Sequence, residues 1–150
     1  MDHDDLAALF AWATRRLTDA ERPLLAAHGL SMWSYVVLSH LARRPVGTQL
    51  ELARAIGYDK TRLIALLDEL EAGGLVSREP DPADRRARRV SLTAAGRARH
   101  AAARSDIRGM EEEVLAGLSA QERSTLLTAL PKLAARPAAP ATPGAGPEGR

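Results

Sequence analysis

The sequence predicts a mainly α-helical protein carrying one small β-hairpin, and three observations predict it. Aromatic residues make up only 3% of 150 residues, so the core must be built from Leu, Ala, Val and Ile, and an Ala- and Leu-rich core favours helices over sheets. Apolar residues recur at steps of three and four along most of the chain. Strand-like patterning is confined to residues 75–79 and 88–93, on either side of a charged turn.

In chain order, Leu6, Phe10, Ala13, Leu17, Ala20 and Leu24 form one seam of an amphipathic first helix, which Pro23 is expected to kink or end. Gly29 breaks the chain, and Ser31 can cap a second helix over residues 32–42 with Val37, Leu38 and Leu41 inward, ending near Pro45 and Gly47. Residues 48–56, the pair Gly57-Tyr58 and residues 59–72 then read as helix, tight turn, helix, closed by Gly73-Gly74. Val90 and Leu92 share one face of the second strand. Thr93 can cap a long helix over residues 94–117, with Ile107, Met110, Val114 and Leu118 on one stripe and Glu111, Glu112 and Glu113 on a solvated face. A capping box, Ser119-Ala-Gln-Glu122, opens a last helix lined by Leu126, Leu130 and Leu133, which Pro131 should bend or shorten. From Arg136 the composition turns to Pro, Ala and Gly, and residues 136–150 are expected to be a disordered tail.

The size suits one compact domain with a short appendage. Cys is absent, which excludes disulfides, thiol nucleophiles, Cys-ligated zinc and iron–sulfur clusters. The acidic start and an apolar run limited to residues 7–13 argue against a signal core, a bilayer span or any membrane partner, so a cytoplasmic protein is expected.

Charge is uneven. Residues 1–42 carry −2, residues 43–104 carry +5 and residues 105–150 carry −1, and the stretch 84–104 holds seven Arg against one acid. Either a phosphate-meeting surface or an Arg-rich solvated face accounts for that cluster. Its neighbours decide. Small Ala53 lets two helices approach, Gly57 can take the positive φ of a short turn, and Leu52, Ile56, Leu63 and Leu66 face inward. The second of these helices then offers Asp59, Lys60, Thr61, Arg62, Ile64 and Ala65 at the end that a recognition helix presents to base edges. Beside a hairpin tipped with Arg85, Arg86 and Arg88, this is a winged helix-turn-helix.

The chain resembles the MarR family of bacterial transcriptional regulators. The matching residues are Gln49-Leu-Glu-Leu-Ala53, Ile56-Gly-Tyr-Asp-Lys-Thr61, Leu67-Asp-Glu-Leu-Glu-Ala-Gly-Gly-Leu-Val76, and above all the wing, Asp81-Pro-Ala-Asp-Arg-Arg86, running into Val90-Ser-Leu-Thr-Ala-Ala-Gly96. The resemblance extends weakly from Leu6 to Leu133. It implies a homodimer of triangular subunits, with residues 1–42 and 94–135 supplying dimerisation helices, residues 43–93 the winged module, and residues 1–135 one domain. It also implies that Asp84 orients Arg86, that Arg86 enters the minor groove, and that Lys60, Thr61 and Arg62 lie at the major groove. Positions 64 and 65, often Thr and Arg in the family, are Ile and Ala here, which thins polar base readout and leaves apolar contact with thymine methyls. Specificity then leans on the wing and on DNA shape.

Thr48 and Gln49 are candidates for backbone contact, although Thr48 serves equally as a helix cap, and Arg54 reads as ordinary surface. His28, His40 and His100 lack metal-ligand spacing, and His3 sits in a mobile end, so neither metal nor cofactor is expected. Trp12, Arg16, Trp33 and Tyr35 read as core or interface packing, or as a pocket for the small aromatic or anionic effectors that the family resemblance implies. No nucleophile elbow, phosphate loop, HExxH or dinucleotide fingerprint is present, so an enzyme is not expected. Two functions stay in competition: a dimeric regulator, expected to be a repressor, on a pseudopalindromic double-stranded operator, and a winged-helix adaptor that does not bind DNA.

Overall fold

The computed structural model describes residues 5–44 and 47–135, which fall into two units, one ending at Val114 and the other beginning at Leu115. The expected exit at Pro45, the role of His3 and the tail at 136–150 lie outside the described residues.

The first unit contains α1 (Leu6–Ala27), α2 (Met32–Arg43), β1 (Gly47–Thr48), α3 (Gln49–Ile56), α4 (Lys60–Ala72), β2 (Val76–Pro80), β3 (Arg88–Leu92) and α5 (Ala94–Val114). The second holds a 3-10 turn, Leu115–Gly117, and α6 (Ala120–Ala134). The expected mainly helical fold with a small wing is what forms, with four departures. The last turn of the long helix tightens into the 3-10 turn, a common way for helix ends to satisfy their carbonyls. A third strand appears: β1 pairs antiparallel with β3, placing Thr48 opposite Arg89, and the sheet order is β1-β3-β2. Two residues carry no alternation, so patterning could not show it.

Pro23 does not end α1, nor does Pro131 shorten α6 at its position; the helices run on to Ala27 and Ala134. A proline removes one N–H, and its fixed φ is itself helical, so a helix can cross it when packing holds the remainder. Here Leu25 is fully buried two residues past Pro23, and α1 ends where Gly29 takes φ +68°. His28 fixes that end by pairing with Asp106 at 2.6 Å, and Arg99 donates to the His28 carbonyl at 2.9 Å. The inward face of the helix pair also differs in detail. Leu67 is fully buried, whereas Leu66 and Ile56 pack partly buried at its margin.

The core is aliphatic. Val37, Leu38 and Leu41 of α2 meet Leu52 and Ala53 of α3, Leu63, Leu67 and Leu70 of α4, Val76 and Val90 of the sheet, and Ala103 and Ile107 of α5. Where the sheet returns to α5, the chain is pinned at close range. The Thr93 hydroxyl donates to the Gly74 carbonyl at 2.6 Å and accepts from the Gly96 N–H at 3.0 Å, while the Thr93 N–H donates to the Leu75 carbonyl at 3.1 Å. Gly96 sits so near this strand that a Cβ added to it would stand 1.9 Å from the Leu75 carbonyl oxygen. Backbone cannot yield as a side-chain tip can. Gly96→Ala is therefore expected to destabilise the fold by about 3 kcal/mol, a fall of about 10 °C in Tm at this chain length. A thermal melt followed by circular dichroism checks it, and an unchanged Tm would contradict the close approach.

Candidate nucleic-acid interface

The helix-turn-helix is locally determined at every joint. Thr48 caps α3 in a full capping box with Glu51: its hydroxyl accepts from the Glu51 N–H at 3.2 Å, and the Glu51 carboxylate accepts from the Thr48 N–H at 3.1 Å. Gly57 closes α3 in the left-handed region, φ 65° and ψ 35°, where a side chain would be strained. Asp59 caps α4, its carboxylate accepting from the Arg62 N–H at 2.9 Å. The start of α4 thus carries a carboxylate of its own. Attraction for phosphate at this end comes from the Lys60 and Arg62 side chains more than from bare backbone N–H groups.

The wing's Asp-Pro-Ala-Asp-Arg-Arg sequence has a structural reason. The Asp81 carboxylate accepts from the Ala83 N–H at 3.0 Å and the Asp84 carboxylate from the Arg86 N–H at 2.9 Å, while the Asp81 N–H donates to the Ala87 carbonyl at 2.9 Å. Two Asx turns thereby set the backbone that displays Arg85 and Arg86, both exposed. Asp84 holds Arg86 by its backbone N–H. Arg88 and Arg89 are exposed at the start of β3, beside fully buried Val90.

A shallow cleft of about 190 Å³ brings together Thr48, Gln49, Lys60, Asp84, Arg86 and Arg88, with exposed Leu50 beside them. Thr61, Arg62 and Ala65 are exposed on α4, and Ile64 is half-buried. Residues widely separated in sequence thus share one basic face. Sequence reading missed what holds that face together. Arg78 of β2, with its side chain only 12% exposed, donates to Asp68 at 2.5 Å and Glu71 at 2.9 Å on α4 and to Gln49 at 3.3 Å on α3. Its backbone N–H also donates to Glu71 at 2.9 Å. The Gln49 oxygen is accordingly engaged by Arg78. The signal that could have revealed Arg78 is a cation in a half-buried strand position, which needs an acid nearby.

The proposed effector residues do not converge. Trp12 is 60% exposed on α1 and Arg16 is exposed near it. Trp33 stacks on Tyr58 of the turn, with ring centroids 4.2 Å apart, and Tyr35 stacks on His100 at 5.5 Å. Of the four, only Tyr35 lines a larger cavity of about 550 Å³ framed by α1, α2, α3 and α5. Its walls also carry Ser39, His40, Arg43, Arg104 and Arg108, with Glu21 and Glu111 on the same lining. Sequence reading missed these arginines because Arg43 and Arg104 lie on different helices. Burial, then Arg44 and Arg43, push the His40 imidazole below its ordinary pKa, and burial together with Glu111 raises the Glu21 carboxyl. His100, lowered by burial and by Arg104 and Arg43, makes a hydrogen bond with the Ser39 hydroxyl at 3.0 Å. Among the described residues no group of His, Asp and Glu could hold a metal ion, and no helix is long and apolar enough to cross a membrane.

The profile of the MarR family matches residues 28–87, the span from the end of α1 through the wing's turn. Among solved structures, the transcriptional repressor CouR bound to a 23-mer DNA duplex superimposes with a TM-score of 0.78 at 29% identity, covering 87% of this chain and 93% of that one. A Mycobacterium tuberculosis MarR family protein in complex with DNA gives 0.76 at 27% identity, covering 89% and 100%. A probable transcriptional regulator from Pseudomonas aeruginosa gives 0.76 at 29% identity, covering 87% and 97%.

The Arg78 linkage has a pH signature. Hydrogen bonding to Arg78 holds the Glu71 carboxyl below its ordinary 4.5, so its contribution is complete above that pH and is lost as pH falls through the lowered value. Arg78→Met should lower Tm at neutral pH and make the further loss on acidification below pH 4.5 shallower than in the parent. Parallel melts from pH 7 to pH 3 check this, and curves of equal slope would refute it.

Proposed function

Since the chain belongs to the MarR family of winged helix-turn-helix transcriptional regulators, a family of DNA-binding proteins and not of enzymes, we propose that it works in the cytoplasm as a homodimeric repressor. Its target is a pseudopalindromic operator with half-sites about one helical turn apart. The observation that carries this reading is the cleft joining the starts of α3 and α4 to the wing turn, which gives one continuous cationic face to a duplex. Lys60, Thr61, Arg62, Ile64 and Ala65 enter the major groove, Arg86 the minor groove, and Arg85, Arg88, Thr48 and Gln49 meet the phosphates around them. Three features support the division of labour: α4's first turn is exposed, the Asx turns fix Arg86 in place, and Arg78 ties wing to helix. The adaptor reading gives way to the membership.

Dimerisation is supported by apolar surface. Leu6, Leu9, Phe10 and Trp12 of α1 are 39–65% exposed, and α6 buries none of its residues, leaving Leu127 and Leu133 at 53% and 67%. Faces of this kind are costly in water and mark association sites. Residues 1–42 and 94–135 are thus assigned to the dimer and residues 43–93 to DNA.

Derepression is assigned to a small anionic, aromatic effector in the Tyr35 cavity. Arg43, Arg104 and Arg108 have no ion-pair partner within the described residues, so a carboxylate there gains charge-assisted hydrogen bonds without displacing an existing pair. Trp12, Arg16 and Trp33 belong to packing and surface in this scheme.

Arg86→Ala should weaken operator binding about tenfold or more, whereas Lys60→Ala should weaken all duplexes alike and reduce the slope of log affinity against log salt by about 1. Fluorescence anisotropy over a salt series checks both, and parent-like affinity for Arg86→Ala would sink the wing's role. An anion in the cavity offsets the repulsion on His40 and Glu21, so its binding should take up protons and tighten as pH falls from 8 to 6. Titration calorimetry in buffers of different ionisation enthalpy checks the sign.

A further inference from the structure

The orientation of α4 is set by Leu63, Leu67 and Leu70, which are 0%, 0% and 5% exposed. At about 100° per residue, the opposite line carries Thr61, Ala65 and Asp68. Asp68 is occupied by Arg78, which leaves Thr61 and Ala65, both exposed, as the outward pair in the first two turns, with Ile64 half-buried beside them. The polar groups near this pair are already placed elsewhere: the Arg62 N–H is held by Asp59, and Lys60 lines the cleft toward the wing.

We propose that Thr61 and Ala65 read thymine methyl groups, so that the position of thymines under α4, more than hydrogen-bond donors and acceptors, selects the half-site. The thymine C5-methyl is the one apolar feature that a base edge offers in the major groove, and Ala and the Thr methyl are side chains suited to it. An alanine can neither donate nor accept, so it distinguishes bases by methyl contact and by fit. Its short side chain also lets the helix axis lie deep in the groove. A buried methyl contact contributes about 0.8 kcal/mol, equivalent to about fourfold in affinity. This inference rests on the operator reading above.

The test begins with duplexes selected from a random pool by the full chain. In the best duplex, each half-site thymine is replaced singly by deoxyuridine, which deletes only the methyl. One or two positions per half-site should lose about fourfold affinity with the parent protein. With Ala65→Gly or Thr61→Ser, whose folding is verified by circular dichroism, the loss at the matching position should shrink toward onefold. Uracil tolerated at every thymine, a selected half-site without thymine, or a fourfold loss kept in both variants would overturn the proposal while leaving duplex binding intact. Retention of no duplex at low salt would instead overturn the operator reading, and this inference with it.

Discussion

The DNA-facing half of the molecule depends on one guanidinium. Arg78 sits in the middle of β2, shielded from water, and its fork reaches α4 through Asp68 and Glu71 and α3 through Gln49. A cation placed there without acids would be untenable, and acids on the recognition helix without a cation would repel a polyanion. Together they neutralise one another and fasten wing, recognition helix and supporting helix into one body. The sheet adds a second fastening, because β1, the two residues before α3, pairs with β3 of the wing.

That arrangement explains which cations are available. Arg78 is spent on structure, whereas Lys60, Arg62, Arg85, Arg86, Arg88 and Arg89 have no ion-pair partner within the described residues. The net charge of the chain is only +2, so position, more than total, makes the face basic. The same logic separates the cavity from the interface. Arg43, Arg104 and Arg108 frame a concave, partly apolar space, and the wing's arginines stand on a convex turn.

Most of the fold was legible in the sequence because its determinants are local. Ser31, Thr48, Asp59 and Ser119 each cap the helix that follows, and Gly57 is placed where only a left-handed residue closes the turn. The prolines misled, since Pro23 and Pro131 were weighed for the bond they remove and not for the buried or late-turn position that tolerates them. The cationic face of the candidate site was legible as a cluster of charges and a motif. What escaped was anything made by contact across long separations: Arg78 with Gln49, β1 with β3, and Tyr35 with Arg104. Period and composition describe a segment, and pairing belongs to the folded whole.

The capped helices and the double Asx turn also bear on kinetics. Every loop end on the duplex-facing side is already satisfied by its own side chains, so little conformational entropy has to be surrendered at the moment of encounter. Such a preformed surface lets long-range attraction and orientation govern arrival. Discrimination between correct and incorrect sites is then carried by residence time, as the rate of departure.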